Sequence, residues 1–274
     1  MSIGYACLNI GTPNTNIRSI MQRNATPEKL TEVTEHNLAA LERMIDYNRK
    51  NDIKLFRISS DLIPFGSSPV NALPWWDIHA EAFQHIGAKI QKSSMRVSFH
   101  PGQYTVLNSP DEDVVARAIL DLAYHAKMLE YLGVDNQHKI VLHVGGIYGD
   151  KKEAFERFEL NYRRLPEAVQ NRLIIENDDR LYNIEEVLEL AHRLQIPTVY
   201  DNLHHAINPP PSIGTDPYWI AEAKKTWKAV DGNQKIHYSQ QAPGKRPGAH
   251  TDTIDLETFL TFHEQLEDKQ IDIM

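Results

Sequence analysis

One cysteine, Cys7, stands among 274 residues. No internal disulfide framework is available, and a reducing, cytoplasmic setting is expected. No apolar run approaches the ~18–20 residues of a membrane-spanning helix. The start, Met1-Ser2-Ile3-Gly4-Tyr5, has neither the basic nor the apolar region of a secretory leader. Also missing are a Gly-x-Gly-x-x-Gly turn after the first strand-like run, a Ser/Gly-rich linker and an internal repeat. Cations are in deficit, with 29 Lys+Arg against 37 Asp+Glu and a formal charge of −8. That balance disfavours a protein that grips nucleic acid by charge alone. Three bound divalent ions would bring the charge to about −2, however, and would concentrate the positive charge where the carboxylates sit. With no heptad pattern, a monomer without membrane attachment is expected.

What is present is enough apolar residue, 41% against 24% charged, to bury a sizeable core. Short β-rich runs alternate with longer amphipathic ones. The strand candidates are Ile3–Ile10, Leu55–Ser60, Met95–His100, Lys139–Val144, Leu173–Asn177, Thr198–Asn202 and Lys235–Ser239. Helical patterns follow them. Thr26-Pro27-Glu28 opens a helix to about Arg49, Pro74-Trp75-Trp76 a second, and Ser109-Pro110-Asp111 a third that Gly133 stops. Asp150 to Val169, Asn183 to Leu194, Asp216 to Val230 and Asp255 to Asp268 supply the rest. This order predicts one α/β domain over residues 1–274, a TIM (β/α)8-type barrel. Ile271-Asp272-Ile273-Met274 reads as the start of an eighth strand, after which the chain stops. The expected barrel therefore lacks the end of strand eight and the last helix.

In such a barrel the chemistry sits at the C-terminal ends of the strands. Of thirteen histidines, His36, His79, His85, His125, His138, His192, His205 and His263 are expected at the surface. His100, His143 and His237 end or follow β-rich runs, as do Glu176 and Asp201. Side chains alternate along a strand, so Val141 shares a face with His143, Ile174 with Glu176, and Val199 with Asp201. Each pair puts an apolar residue in the barrel and a ligand-type residue above it. Acids and imidazoles crowded at one mouth require cations. His204 and His250 extend the set into the following loops. Imidazole and carboxylate donors without a thiolate favour Zn²⁺ or Mn²⁺.

Three further features stand out. Lys235 shares a face with His237 and is expected inside the barrel, either snorkelling to the lower rim or neutral or modified at the metal site. Tyr5, Cys7 and Asn9 share a face that should look toward the cavity, with Cys7 a buried thiol. After His100, Pro101-Gly102 forces a turn that holds Gln103 and Tyr104 out on a loop, where an aromatic and an amide suit a wedge in a base stack.

These residues resemble the UV damage endonucleases, TIM-barrel DNA-repair enzymes related to endonuclease IV. The matching segments run in order. They are Gly4-Tyr5…Asn9, Arg57-Ile58-Ser59-Ser60-Asp61-Leu62-Ile63-Pro64, His100 to Tyr104, His143-Val144-Gly145-Gly146…Gly149, Glu176-Asn177-Asp178-Asp179, Asp201 to His205, Lys235 to Ser239 and Pro243 to His250. The resemblance implies that His100, His143, Glu176, Asp201, His204, His237 and His250 are metal ligands, with catalysis assigned to Glu176, Lys235 and His237. It matches Lys235 to a lysine that can be carboxylated, Gln103 and Tyr104 to a pair that probes the duplex, and Tyr5 and Asn9 to the lesion pocket. It implies a divalent cluster of three ions, manganese first, with zinc or magnesium as alternatives. The partner is UV-damaged double-stranded DNA, nicked immediately 5′ of cyclobutane dimers and 6-4 photoproducts to leave a 3′-hydroxyl and a 5′-phosphate. Lys245 and Arg246, on a Gly/Pro-rich loop, are expected phosphate contacts.

Two positions depart from the family pattern. Ser68 stands where a histidine is expected, and the chain ends before a glutamate that follows the eighth strand. Both lead to an expectation of impaired catalysis. Two other functions fit parts of the pattern: a divalent-metal sugar isomerase or epimerase on a related barrel, and a lesion-binding homologue without nuclease activity. The pair Gln103-Tyr104 speaks against the first, because a small-sugar pocket has no use for a wedge.

Overall fold

The computed structural model describes residues 1–274. Eight parallel strands follow one another in chain order: β1 Gly4–Ala6, β2 Leu55–Arg57, β3 Arg96–Phe99, β4 Lys139–His143, β5 Leu173–Glu176, β6 Thr198–Asp201, β7 Lys235–His237 and β8 Asp272–Ile273. Each pairs in parallel with the next. Ile273 also bridges to Ile3, and its N–H donates to the Ser2 carbonyl at 2.8 Å. The eighth strand is therefore formed, two residues long, and it bridges to the start of the chain beside the first.

The helices between the strands are α1 Pro27–Lys50, α2 Trp75–Ile78, α3 Ala80–Lys92, α4 Glu112–Tyr131, α5 Lys151–Tyr162, α6 Glu167–Gln170, α7 Ile184–Leu194, α8 Asn202–Ile207, α9 Asp216–Lys224 and α10 Leu256–Gln265. Side-chain caps start many of them. Thr26 accepts from Lys29 N–H, Asp111 and Asp150 each accept from two backbone amides, and Asn183 and Glu186 form a reciprocal capping box. Four expected helices are shorter than their patterns, α10 among them, which stops at Gln265 short of Asp268. Pro166 cannot donate to a helical carbonyl, so the Asp150–Val169 run splits into α5 and α6. The run after Pro74 breaks at His79, and α9 stops at Lys224. The first strand is also short, because Cys7 takes a left-handed φ of 61°.

Outward-facing strand residues such as Phe56, Val97, Phe99, Ile140 and Ile175 pack under the helices in a core of 38 residues. A second cluster of 11 lies between the later strands and α7, α9 and α10. Inside the barrel Val141, Ile174 and Val199 form a separate apolar layer, each fully buried. These are the residues that alternation pairs with His143, Glu176 and Asp201. The register sets His143 opposite Glu176 and Asp201 opposite His237. The ligand-type residues thus rise together above an apolar floor.

Candidate metal centre and nucleic-acid cleft

Glu176, at the end of β5 and 1% exposed, is the hub of the barrel mouth. Its Oε1 accepts from His237 Nδ1 at 2.5 Å and its Oε2 from His100 Nε2 at 2.8 Å. His143 Nε2 lies 3.6 Å from Oε2, and His204 Nδ1 lies 3.9 Å from Oε1. One carboxylate therefore faces four imidazoles delivered by four different segments. The donor atoms of His100, Glu176 and His237 all lie within 4.8 Å of one another, and so do those of Glu176, Asp201 and His204. Glu176 belongs to both groups.

The electrostatics suit cations. Burial would raise the Glu176 carboxyl, but His237, His100 and His143 hold it well below the usual range. Burial lowers His237 to about 3 and His143 to about 4, against the pull of Glu176, so both are neutral at pH 7 and carry lone pairs. Burial also pushes Asp201 up, with His204 opposing it. Burial alone would lower His204, but Asp201 and Glu176 lift it. A ligand must be deprotonated to bind a metal, so the neutral imidazoles and the ionised hub are in the right state. His143 Nδ1 is buried and has no hydrogen-bond partner. Carboxylate and imidazole donors without thiolate make both groups candidate divalent-metal sites.

Two supports of this centre are not evident from the strand pattern. The Arg57 guanidinium lies against the His237 ring, with Nη2 3.1 Å from Nε2 and 3.4 Å from Nδ1. Asn177 exchanges hydrogen bonds with the Asp201 backbone at 3.1 and 2.9 Å, and its carbonyl accepts from His204 Nδ1 at 2.8 Å. That carbonyl can only accept, so His204 carries its proton on Nδ1 and keeps Nε2 free. Asp201 Oδ1 accepts from the His204 backbone N–H at 2.8 Å and caps α8, a helix the sequence pattern does not announce. Beneath the mouth, Lys235 is 0% exposed and its Nζ has no partner. Burial first, then the nearby Arg96 and Arg57, push its ammonium well below the usual lysine value. An uncharged amine fits this place; a bare cation does not.

The comparisons with known proteins agree along the whole chain. The family model for UV-endonuclease UvdE matches residues 2–274. The chain belongs to the UV-endonuclease UvdE family. It is 40% identical over 279 residues to a UV DNA damage endonuclease of Clostridium perfringens (strain 13 / Type A), an alignment covering all of this chain and 66% of that relative. It is 34% identical over 256 residues to the UV DNA damage endonuclease of Bacillus velezensis, covering 93% of this chain and 80% of that one. The crystal structure of SacUVDE superposes with a TM-score of 0.94 at 36% identity, covering 100% and 92% of the two chains. D-psicose 3-epimerase from Clostridium cellulolyticum H10 gives a TM-score of 0.58 at 14% identity over 100% and 84%, which establishes a shared barrel and nothing finer.

Several other candidate residues of this UvdE-family chain line a cleft of about 880 Å³ that opens beside the candidate metal centre. Gln103, Tyr104, His143, His204 and Arg246 line it, as does Ser68. Tyr104 is 70% exposed, its ring lying over Gly102, where a Cβ would come within 2.5 Å of it. Lys245 is exposed beside Arg246. His250 sits on the same loop, bridged to Gln241, and is exposed. It makes no hydrogen bond, although His204, Arg57 and Glu176 are among its charged neighbours.

Tyr5 departs from the alternation expected for it. Its ring packs on Phe56 at 5.0 Å, on the helix side of β1, and its hydroxyl donates to Asn48 Oδ1 at 2.9 Å. Asn9 Nδ2 donates to that hydroxyl at 3.2 Å. Three histidines expected at the surface, His79, His125 and His205, are buried instead, and His138 is nearly so. His125 lies on the inward face of α4 between Phe99 and Tyr124.

Proposed function

We propose that this chain is a metal-dependent DNA-repair endonuclease that nicks the phosphodiester immediately 5′ of UV photolesions, leaving a 3′-hydroxyl and a 5′-phosphate. The observation that carries the reading is the shared hub. Glu176 joins two ligand groups at the head of a cleft bearing an exposed Gln103-Tyr104 loop. The names of the relatives agree with it.

Each part of the chain has a task in this reading. His100, Glu176 and His237 would hold one ion, and Glu176, Asp201 and His204 a second. His143 and His250 are the donors left for a third. Manganese is the ion proposed, with zinc or magnesium able to use the same donors. Divalent ions held by these residues would supply water activation and Lewis-acid stabilisation of charge on the phosphate and the leaving oxygen. Gln103 and Tyr104 enter the stack opposite the lesion, whose pairing is already weakened, so that extruding two nucleotides costs less. Asn9 borders the extruded nucleotides, and Tyr5, turned to the helix side of β1, supports it by accepting from its amide. Arg246 and Lys245 contact phosphates.

Lys235, held neutral in its burial site, reacts with CO₂ to form a carbamate and release one proton. The resulting anion lies near Arg57 and Arg96 and ends the isolation of Nζ. A native mass spectrum should carry an increment of one CO₂ that denaturation removes.

Nicking of UV-irradiated supercoiled plasmid with added Mn²⁺, beside an unirradiated control, tests the function. Damage-dependent conversion to open circles is the expected result. Lesion-selective binding without cleavage in excess Mn²⁺ would overturn the nuclease reading. Turnover of sugars without nicking would replace it with an epimerase.

A further inference from the structure

Beneath the cleft, α4 presents Asp121, Tyr124 and His125 on one face, as spacings of three and four residues require. The Asp121 side chain is buried and accepts two charge-assisted hydrogen bonds. Its Oδ2 takes one from Thr105 Oγ1 at 2.7 Å, and its Oδ1 takes one from Ser67 Oγ at 2.9 Å. Thr105 follows Tyr104 directly, and its own N–H closes the turn onto the Gly102 carbonyl at 2.9 Å. Ser67 belongs to the loop after β2, and both Ser67 and Thr105 line the cleft. One carboxylate therefore ties together two loops that form its floor.

The same helix face continues to the metal side. His125 Nδ1 donates to the Asp121 carbonyl at 2.7 Å, which leaves Nε2 as an acceptor 2.9 Å from Ser60 Oγ. Ser60 has one proton for two acceptors, His125 Nε2 and the His100 carbonyl at 3.1 Å. Tyr124 donates to the Ser60 carbonyl at 3.0 Å and accepts from Ile63 N–H at 3.2 Å. A buried carboxylate, imidazole and phenol on one helix are costly unless their partners are fixed. Tyr124 and His125 hold the loop after β2, whose Ser60 in turn donates to the His100 carbonyl, while Asp121 reaches the neighbour of Tyr104 directly.

We propose that Asp121 is a positioning residue for lesion selection, holding the Gln103-Tyr104 loop at its height above the cleft through Thr105 and fixing the opposite loop through Ser67. This rests on the reading of the cleft as the lesion site. A Tyr104 side chain that is 70% exposed gains little order from its own packing, so the bond two atoms beyond Cα of the next residue supplies it.

The test compares binding of duplexes with and without a cyclobutane dimer by wild type, Asp121→Ala, Thr105→Val and Thr105→Ser, with Mn²⁺ affinity measured by calorimetry. Asp121→Ala and Thr105→Val should each lower the ratio of damaged to intact affinity about tenfold, the cost of one charge-assisted hydrogen bond. Thr105→Ser, which keeps the hydroxyl, should restore the ratio, and Mn²⁺ affinity should hold in all four proteins. A merely structural role would weaken both duplexes alike and leave the ratio unmoved. Discrimination by wild type with an unchanged ratio in Thr105→Val and Asp121→Ala overturns this inference alone. Failure of wild type to discriminate overturns the reading of the cleft, and the inference with it.

Discussion

Arg96 and Asp272, 176 residues apart in the chain, meet at 3.1 Å beneath the barrel. Both side chains are largely buried, at 10% and 5% exposure. The guanidinium also donates to the carbonyls of Gln137, Asn233 and Asp231 at 2.8, 2.6 and 2.7 Å. Asp272 Oδ1 accepts from Ser2 N–H at 3.0 Å. One carboxylate on β8 thus fastens β3 on one side and the start of the chain on the other, and it allows a strand of two residues to complete the ring.

Removing that carboxylate leaves a buried guanidinium without its counter-charge. Asp272→Ala should therefore lose roughly 3–5 kcal/mol of unfolding free energy, the usual cost of breaking a buried pair from one side. Urea denaturation measures it. A change below about 1 kcal/mol, the level of an exposed pair, would show that the carbonyls around Arg96 suffice without Asp272.

Glu176→Gln keeps the shape of the hub but removes the charge that both ligand groups share. Plasmid nicking should fall at least about a hundredfold, with a matching loss of Mn²⁺ affinity. Full activity in this variant would take Glu176 out of the ligand set.

Tyr104→Ala removes the most exposed aromatic ring lining the cleft. The preference for damaged over intact duplex should drop on the order of tenfold, the scale of one aromatic stacked on a base, while nicking of lesions at saturating enzyme should persist. An unchanged preference would end the wedge assignment.

The metal-free protein should weaken in acid. His143 and His237 titrate near 4 and 3 in the fold instead of at an ordinary value near 6.5, so the unfolded chain binds their protons first as pH falls. Their contribution is complete above about 6.5 and is lost as pH falls through those folded values. Glu176, also depressed, acts in the same direction at lower pH, while Asp201, which is raised, acts in the opposite one. Chelator-treated protein should thus have a lower urea midpoint at pH 5 than at pH 7. Mn²⁺ should raise the midpoint more at pH 7, where fewer protons compete for the donors. An equal or higher midpoint at pH 5 would contradict this balance.

The parts of the fold and site that the sequence discloses are those governed by a strict period. Alternation placed Val141 below His143, Ile174 below Glu176 and Val199 below Asp201, because strands buried on both faces leave little freedom in side-chain direction. Tyr5 escaped the same argument because its strand ends at Ala6 and the left-handed Cys7 breaks the alternation toward Asn9. His125 escapes it as well, because a polar residue on a helix reads as solvent-facing until the strand and loop it packs against are known. Arg57 gave a weak signal of its own, a charge inside an apolar run. What it meets, His237, comes from 180 residues further on. The short α8 is hidden in the sequence because Asp201 both caps a helix and belongs to a candidate ligand group.

The pairing of His143 with Glu176, and of Asp201 with His237, is a property of backbone ladders before it is a property of side chains. That divides the chain into stretches with very different tolerance for changes of length. One residue inserted between Lys139 and His143 would turn the imidazole into the helix layer and bring Leu142 to the mouth. The same insertion among Pro209, Pro210 and Pro211, between α8 and α9, would move no ligand. Changes of loop length are therefore tolerated where changes in the residue count of these short strands are not.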